Sequence, residues 1–164
     1  MKNQKGFTLI ELVVVIVILG ILAVTAAPRF LNLQSDARAS SLQGLKGAMA
    51  GAGSIVYGKS AIEGQERSES GAVPTGIAGG DDIITVYGYP AADESGIGRA
   101  VEGLTTGDDW VVDTTQGSAG TGTGDEIVYR FADSSDGTSC VVSYTAPSVE
   151  GGVPTISAAD ASGC

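Results

Sequence analysis

The sequence has no histidine among its 164 residues. That absence removes the commonest general base, the usual serine and cysteine triads and most zinc sites, so hydrolytic catalysis has little to build on. Basic residues are scarce beyond residue 60. Arg67, Arg99 and Arg130 face 17 acids in residues 61–164, a net of −14, whereas residues 1–60 carry six Lys or Arg against Glu11 and Asp36, a net of +4. A C-terminal part of that sign repels a phosphate backbone, and nucleic acid is not an expected partner. Asparagine occurs twice, at Asn3 and Asn32, neither in an Asn-x-Ser/Thr acceptor, which excludes that form of N-glycosylation and leaves O-linked sugars on Ser/Thr-rich loops open. Cysteine also occurs only twice, as Cys140 and Cys164.

What the chain does have is one long apolar run near its start, KGFTLIELVVVIVILGILAVTAAPRF at residues 5 to 30. As a helix, Phe7 to Ala27 spans about 30 Å, one hydrocarbon core. Lys2 and Lys5 precede it with no acid among the first ten residues, so the N-terminus is expected on the cytoplasmic side and everything after Pro28 outside. Three readings share that orientation. The run is a secretory signal cut near Val24, Thr25 and Ala26; or a plain anchor; or a segment whose cleavage falls before it, between Gly6 and Phe7. Glu11 separates them. A carboxylate at the bilayer centre costs roughly 2.5 to 3.5 kcal/mol and serves neither a signal nor an anchor. A cut at Gly6 places a new α-amino group four residues before Glu11, where it can meet the carboxylate of a neighbouring subunit.

The stretch Lys5-Gly6-Phe7-Thr8-Leu9-Ile10-Glu11 resembles the prepilin cleavage site of type IV pilins and pseudopilins. The resemblance implies cleavage after Gly6 by a prepilin peptidase, N-methylation of Phe7, and assembly through Thr8, Glu11 and Pro28 into a homopolymeric helical filament. It also implies an inner-membrane subunit before assembly, cytoplasmic ATPase and platform partners, and an extracellular pilus of a Gram-negative bacterium afterwards. The longer match, residues 5 to 64, looks like the mannose-sensitive haemagglutinin (MSHA) pilins. That implies surface attachment, haemagglutination and biofilm formation, with surface glycans as partners.

Beyond Pro28, which is expected to kink the helix, the helical pattern resumes. Leu42, Leu45, Met49, Ala52 and Val56 recur at three and four residues, an amphipathic stripe facing a core. Met49 is read as core and not as a ligand. Gly44, Gly47 and Gly51 interrupt this helix at about 1 kcal/mol each against alanine. Gly47 and Gly51 share a face and permit another backbone to approach, first of all the subunit's own sheet, otherwise a neighbouring helix.

After Ile62 the texture changes. Residues 63 to 80 carry no hydrophobic period and read as loop, and strands are expected at 83 to 89, 109 to 114, 126 to 132 and 138 to 145. Asp136-Gly137 marks a hairpin turn. The expected fold class is α+β, a pilin fold: one helix from about Thr8 to Ser60, kinked near Pro28, packed on a small antiparallel sheet of about four strands. The layout is a leader at 1–6, a membrane and filament-core half at 7–28, and a head at 29–164. Within the head, 29–60 is amphipathic helix, 61–108 a loop region with the first strand, and 109–164 strands and the cysteine-bounded region. Cys140 and Cys164 lie on the oxidising side, and pairing them closes a loop of about 25 residues worth roughly 3.5 kcal/mol. Free thiols are the alternative, and two cysteines without histidine make only half a zinc site.

The rival within the superfamily is the major pseudopilin of type II secretion, whose members resemble this chain at the N-terminus and often hold calcium. Asp133, Asp136, Thr138, Asp108 and Asp109 supply oxygen of the kind calcium prefers, although a hairpin turn and a solvated face account for them as well. No cofactor is otherwise expected. An enzyme using Asp93-Glu94 or Asp125-Glu126 is disfavoured, because adjacent strand residues point to opposite faces. Tyr87, Tyr89, Tyr129, Tyr144 and Trp110 offer rings for stacking on sugars, with strand packing as the default.

Overall fold

The computed structural model describes residues 6–76, 80–105, 107, 109–134 and 139–159, with residues 27–32 described by backbone alone. Thr8, in extended conformation, caps helix α1, which runs Leu9–Ile62 over 54 residues, about 80 Å at helical rise. The helical assignment continues through Pro28. At the far end Glu63 is the cap residue, Lys59 lies in the last turn, and Gly64 takes a left-handed φ of 69° that turns the chain out of the helix.

Two antiparallel sheets follow. The smaller has strand order β1-β2-β3, with β1 Gly71–Val73, β2 Ile83–Val86 and β3 Tyr89–Pro90. A π-helical turn over Glu94–Gly98 leads on from it. The larger has order β4-β5-β6-β7, with β4 Trp110–Val112, β5 Glu126–Phe131, β6 Val141–Thr145 and β7 Thr155–Ala158. Among the described residues, seven strands in two sheets thus replace the expected single sheet of about four. β5 and β6 pair as a hairpin connection requires, from Glu126↔Thr145 to Arg130↔Val141, and the Asp136-Gly137 turn lies outside the described residues.

Each discrepancy has a local cause. The segment 83 to 89 is not one strand, because Tyr87 (φ 46°) and Gly88 (φ 81°) form the two-residue turn of a β2–β3 hairpin, with Val86 opposite Tyr89. Positive φ at both central positions suits a type I′ turn, whose twist matches the flanking strands. Gly88 is required twice over, since a Cβ there would lie 2.9 Å from Glu66 Cα. β1 lies inside the stretch expected to be loop; three residues are too few to show a period, and Gln65 Oε1 accepts from Ala72 N–H at 3.0 Å to support it. β7 lies beyond the last expected strand, pairing with β6 and adding a Ser143–Ser157 hydroxyl contact at 2.8 Å.

The helix stripe packs as its spacing predicts. Leu42, Leu45 and Met49 join Val86, Ile97, Ile127, Tyr129, Val142 and Tyr144 in the main core, and Val56 packs with Val73 and Ile83 beneath the smaller sheet. One helix therefore holds both sheets. Tyr144 adds a direct tie, its hydroxyl donating to the Pro90 carbonyl at 2.7 Å between β6 and β3. The first of the two expectations for the helix glycines is not met: nothing lies within 4 Å of where a Cβ would sit at Gly44, Gly47 or Gly51, so the subunit's own sheet does not approach them.

Candidate processing and assembly site

The N-terminal geometry follows from a threonine and a glutamate three apart. Thr8 Oγ1 accepts from Glu11 N–H at 3.4 Å, and Glu11 Oε2 accepts from Thr8 N–H and from Thr8 Oγ1–H, each at 2.7 Å. This is a capping box, in which two unpaired donors of a helix start are satisfied reciprocally. It sets the first helical residue at Leu9 and leaves Gly6 and Phe7 outside the helix, exposed, with Phe7 90% accessible. The carboxylate also lies in the first turn, where the helix dipole favours negative charge. Thr-x-x-Glu was visible in the sequence; reading Glu11 only as the partner of a neighbouring amine missed that its own chain already supplies two donors.

Directly beyond lies Leu9–Ala26, 18 residues of mean hydropathy 3.0 with none buried against the rest of the molecule. By length and composition it is apolar enough to cross a membrane. Pro28 falls within α1 and is described by backbone alone.

The remaining candidates scatter. Cys140 is buried one residue before β6, not within the last strand, and Cys164 lies outside the described residues. Asp133 pairs with Arg38 at 2.6 Å, with the Arg38 guanidinium over the Phe131 ring at 5.3 Å. Asp108, Asp136 and Thr138 lie outside the described residues, and among those described no three His, Cys, Asp or Glu side chains gather to hold a metal ion. Asp93 caps the π-helical turn, accepting from Gly96 N–H at 2.7 Å, and Asp125 accepts from Gly122 N–H at 2.8 Å. Both acids organise turns. Tyr129 and Tyr144 are wholly buried, Tyr89 stacks on Tyr57 at 4.6 Å between centroids and Trp110 on Phe131 at 4.3 Å. Packing accounts for these rings. Residues 53 to 60, GSIVYGKS, match the Gly-x-x-x-x-Gly-Lys-Ser spelling of a phosphate loop, but all eight are helical within α1. Without the strand–loop–helix context the spelling makes no phosphate cradle.

An acidic α+β head built on the second half of a helix whose first half is apolar and uncovered defines a class, a subunit held in membrane or fibre by its N-terminal helix. Comparison with known proteins agrees. Residues 1–27 match the family model of the prokaryotic N-terminal methylation motif. The fimbrial protein EcpC of Eikenella corrodens is 31% identical over 113 residues, 62% of this chain and 71% of that protein. The type IV narrow pilus major component PilA5 of Thermus thermophilus is 47% identical over 53 residues, 32% of this chain and 46% of that one. The type IV major alpha-pilin of Moraxella bovis is 39% identical over 72 residues, 43% and 45% of the two chains. No solved structure matches. The chain belongs to the type IV pilin family of fimbrial subunits, and it is a structural protein, not an enzyme.

Proposed function

We propose that the chain is the major structural subunit of a type IV pilus of the MSHA type, cut between Gly6 and Phe7, N-methylated on Phe7 and assembled into a filament for attachment and biofilm formation. The observation that carries this reading is the N-terminal arrangement: an exposed Gly6-Phe7 bond just outside a capped apolar helix, within the methylation motif. On this reading residues 1–6 are a leader and 7–28 the membrane and later filament-core segment. Residues 29–164 form the exported head, closed by a Cys140–Cys164 disulfide. Before assembly the subunit waits in the inner membrane, and the peptidase, ATPase and platform protein are separate partners. The MSHA assignment rests on the likeness of residues 5 to 64 to that subgroup, and the proposed surface ligand is a glycan.

Intact mass and N-terminal sequencing of protein sheared from cells test it. The expected product begins at Phe7, is heavier by one methyl group and lighter by two hydrogens for the disulfide. A product beginning at Ala27 would sink the processing scheme. Glu11→Gln is expected to leave membrane insertion intact and lower filament yield, and normal piliation by that variant would show the charge to be dispensable. Free thiols together with a large calcium-dependent rise in melting temperature would replace the pilus with a secretion pseudopilus.

A further inference from the structure

Beneath the smaller sheet, polar groups gather in one layer of an otherwise apolar contact. Val56 of α1 packs there with Val73 of β1 and Ile83 of β2. One helical turn on from Val56 is Ser60, and two residues on from Ile83, on the same strand face, is Thr85, opposite Gly71. Ser60 and Thr85 are wholly buried, and neither hydroxyl has a hydrogen-bond partner in the chain. Gln65 closes the layer. Its N–H donates to the Ser60 carbonyl at 2.9 Å, and its Oε1 accepts from Ala72 N–H at 3.0 Å. A Cβ on Gly71 would lie 2.6 Å from that Oε1 and 2.8 Å from Thr85 Oγ1, so the two oxygens converge over a residue that has no side chain to separate them. Ser60 also differs from other serines of its helix. Ser40, Ser41 and Ser54 are exposed and donate to the carbonyl four residues back, at 2.9, 3.1 and 3.0 Å. That bond is the ordinary resort of a helical serine, and the buried one forgoes it.

We propose that Ser60 Oγ, Thr85 Oγ1 and Gln65 Oε1 form a binding site for one internal water molecule, which ties the last turn of α1 to β1 and β2. The site stands apart from the filament reading and belongs to the head alone. A buried hydroxyl without a partner bears its full desolvation penalty, and two of them in one layer call for a shared partner. The chemistry of the three groups selects it. Two hydroxyls and a carboxamide oxygen with one lone pair left are neutral, so an ion bound there would go uncompensated. Water accepts from the hydroxyls and donates to the carboxamide in the same position. Three polar partners fall within the roughly two to four that hold a buried water.

A high-resolution crystal structure of the full chain in detergent tests this directly. One ordered oxygen is expected within hydrogen-bond distance of all three atoms; hydroxyls turned onto neighbouring carbonyls or onto each other, with no density between them, would overturn the site. Denaturation of the full chain gives an independent reading. Thr85→Val keeps the shape and removes the hydroxyl, so its midpoint is expected to fall, because a bond to the water is lost. A hydroxyl buried dry would give the opposite sign, and an unchanged or raised midpoint overturns the proposal. Ser60→Ala gains helix propensity and is therefore read through a double-mutant cycle. If both hydroxyls hold the same water, the second removal costs less than the first, and the midpoint of Ser60→Ala with Thr85→Val ends higher than the two single shifts sum to. Additive shifts would overturn the shared ligand.

Discussion

Two tyrosines one strand apart supply a sharp test of the core. Tyr129 on β5 and Tyr144 on β6 are both wholly buried in the main cluster, yet their hydroxyls differ. Tyr144 donates to Pro90 O at 2.7 Å, whereas the Tyr129 hydroxyl, beside Gly98, is buried without a partner. Burial pushes both phenols well above the ordinary tyrosine range, so both are neutral at every pH of interest and only hydrogen bonding distinguishes them. Tyr144→Phe strands the carbonyl of buried Pro90 and cuts the tie between the sheets, which should cost about 1 to 2 kcal/mol. Tyr129→Phe removes a desolvated hydroxyl that gains nothing in return, and is expected to be neutral or to stabilise by up to about 1 kcal/mol after the small void is discounted. The two variants should therefore differ by about 2 kcal/mol, a shift in denaturation midpoint well outside error. Trp110, the one tryptophan, stacks on Phe131 between β4 and β5, so its fluorescence reports the sheet as the chain is denatured in mild detergent. Equal destabilisation by both substitutions would refute the assignment, because it would mean that Tyr129 also holds a hydrogen bond.

Three further outcomes follow from geometry. Gly88→Ala must hold φ near 81° and set a Cβ 2.9 Å from Glu66 Cα, so a loss of about 2 kcal/mol or more is expected by the same denaturation; a loss under about 0.5 kcal/mol would contradict the type I′ turn. Asp113 is held below the usual carboxylate range first by the Thr115 hydroxyl and then by the Thr115 N–H, with Gln116 adding a third donor. A carboxyl lowered by folding contributes stability above its unfolded value near pH 4 that is lost as pH falls through the lowered one. Asp113→Asn should then cost about 1 to 2 kcal/mol at pH 7 and flatten the acid limb of the stability curve, and an unchanged acid limb would count against it. Arg38→Ala gives up an ion pair whose partner Asp133 is 69% exposed and a contact over Phe131, so about 0.5 to 1 kcal/mol is expected, shrinking in high salt; a salt-independent loss would leave packing as its cause.

Legibility in the sequence tracked the length of each periodic signal. The inward stripe of α1 covers five positions over four turns, and every large side chain in it is buried. β4, β5 and β6 fall where alternation and β-branched residues mark them. β1, β3 and β7, of three, two and four residues, lack the aromatic and β-branched run that marks β4 despite its three residues, so little in their own sequence announces a strand. Tyr87 misleads for a different reason: a β-forming residue in a β-rich run, it occupies the left-handed region because Gly88 completes a tight turn. At the N-terminus, Gly6, Phe7 and Glu11 were legible from type and spacing alone, as was the Thr-x-x-Glu spelling. The empty surroundings of Gly47 and Gly51 were not, because periodicity shows that two residues share a face but not what that face meets.

The capping box alters what Glu11 has to do. A carboxylate alone in an apolar helix needs an outside partner merely to be tolerated. Here it accepts two hydrogen bonds from Thr8, and both use Oε2, so the charge is partly compensated before any second subunit is present. Its place in the first turn, at the positive end of the helix dipole, also suits a carboxylate. On the proposed assembly, an amine from another copy would add to this arrangement without dismantling it, since Oε1 still offers its lone pairs. Glu11→Gln thus separates two functions, because the amide oxygen can still accept from Thr8 and keep the cap while the charge is gone. A filament defect in that variant, with helix and membrane insertion intact, reports on charge pairing between subunits and not on the folding of the helix start.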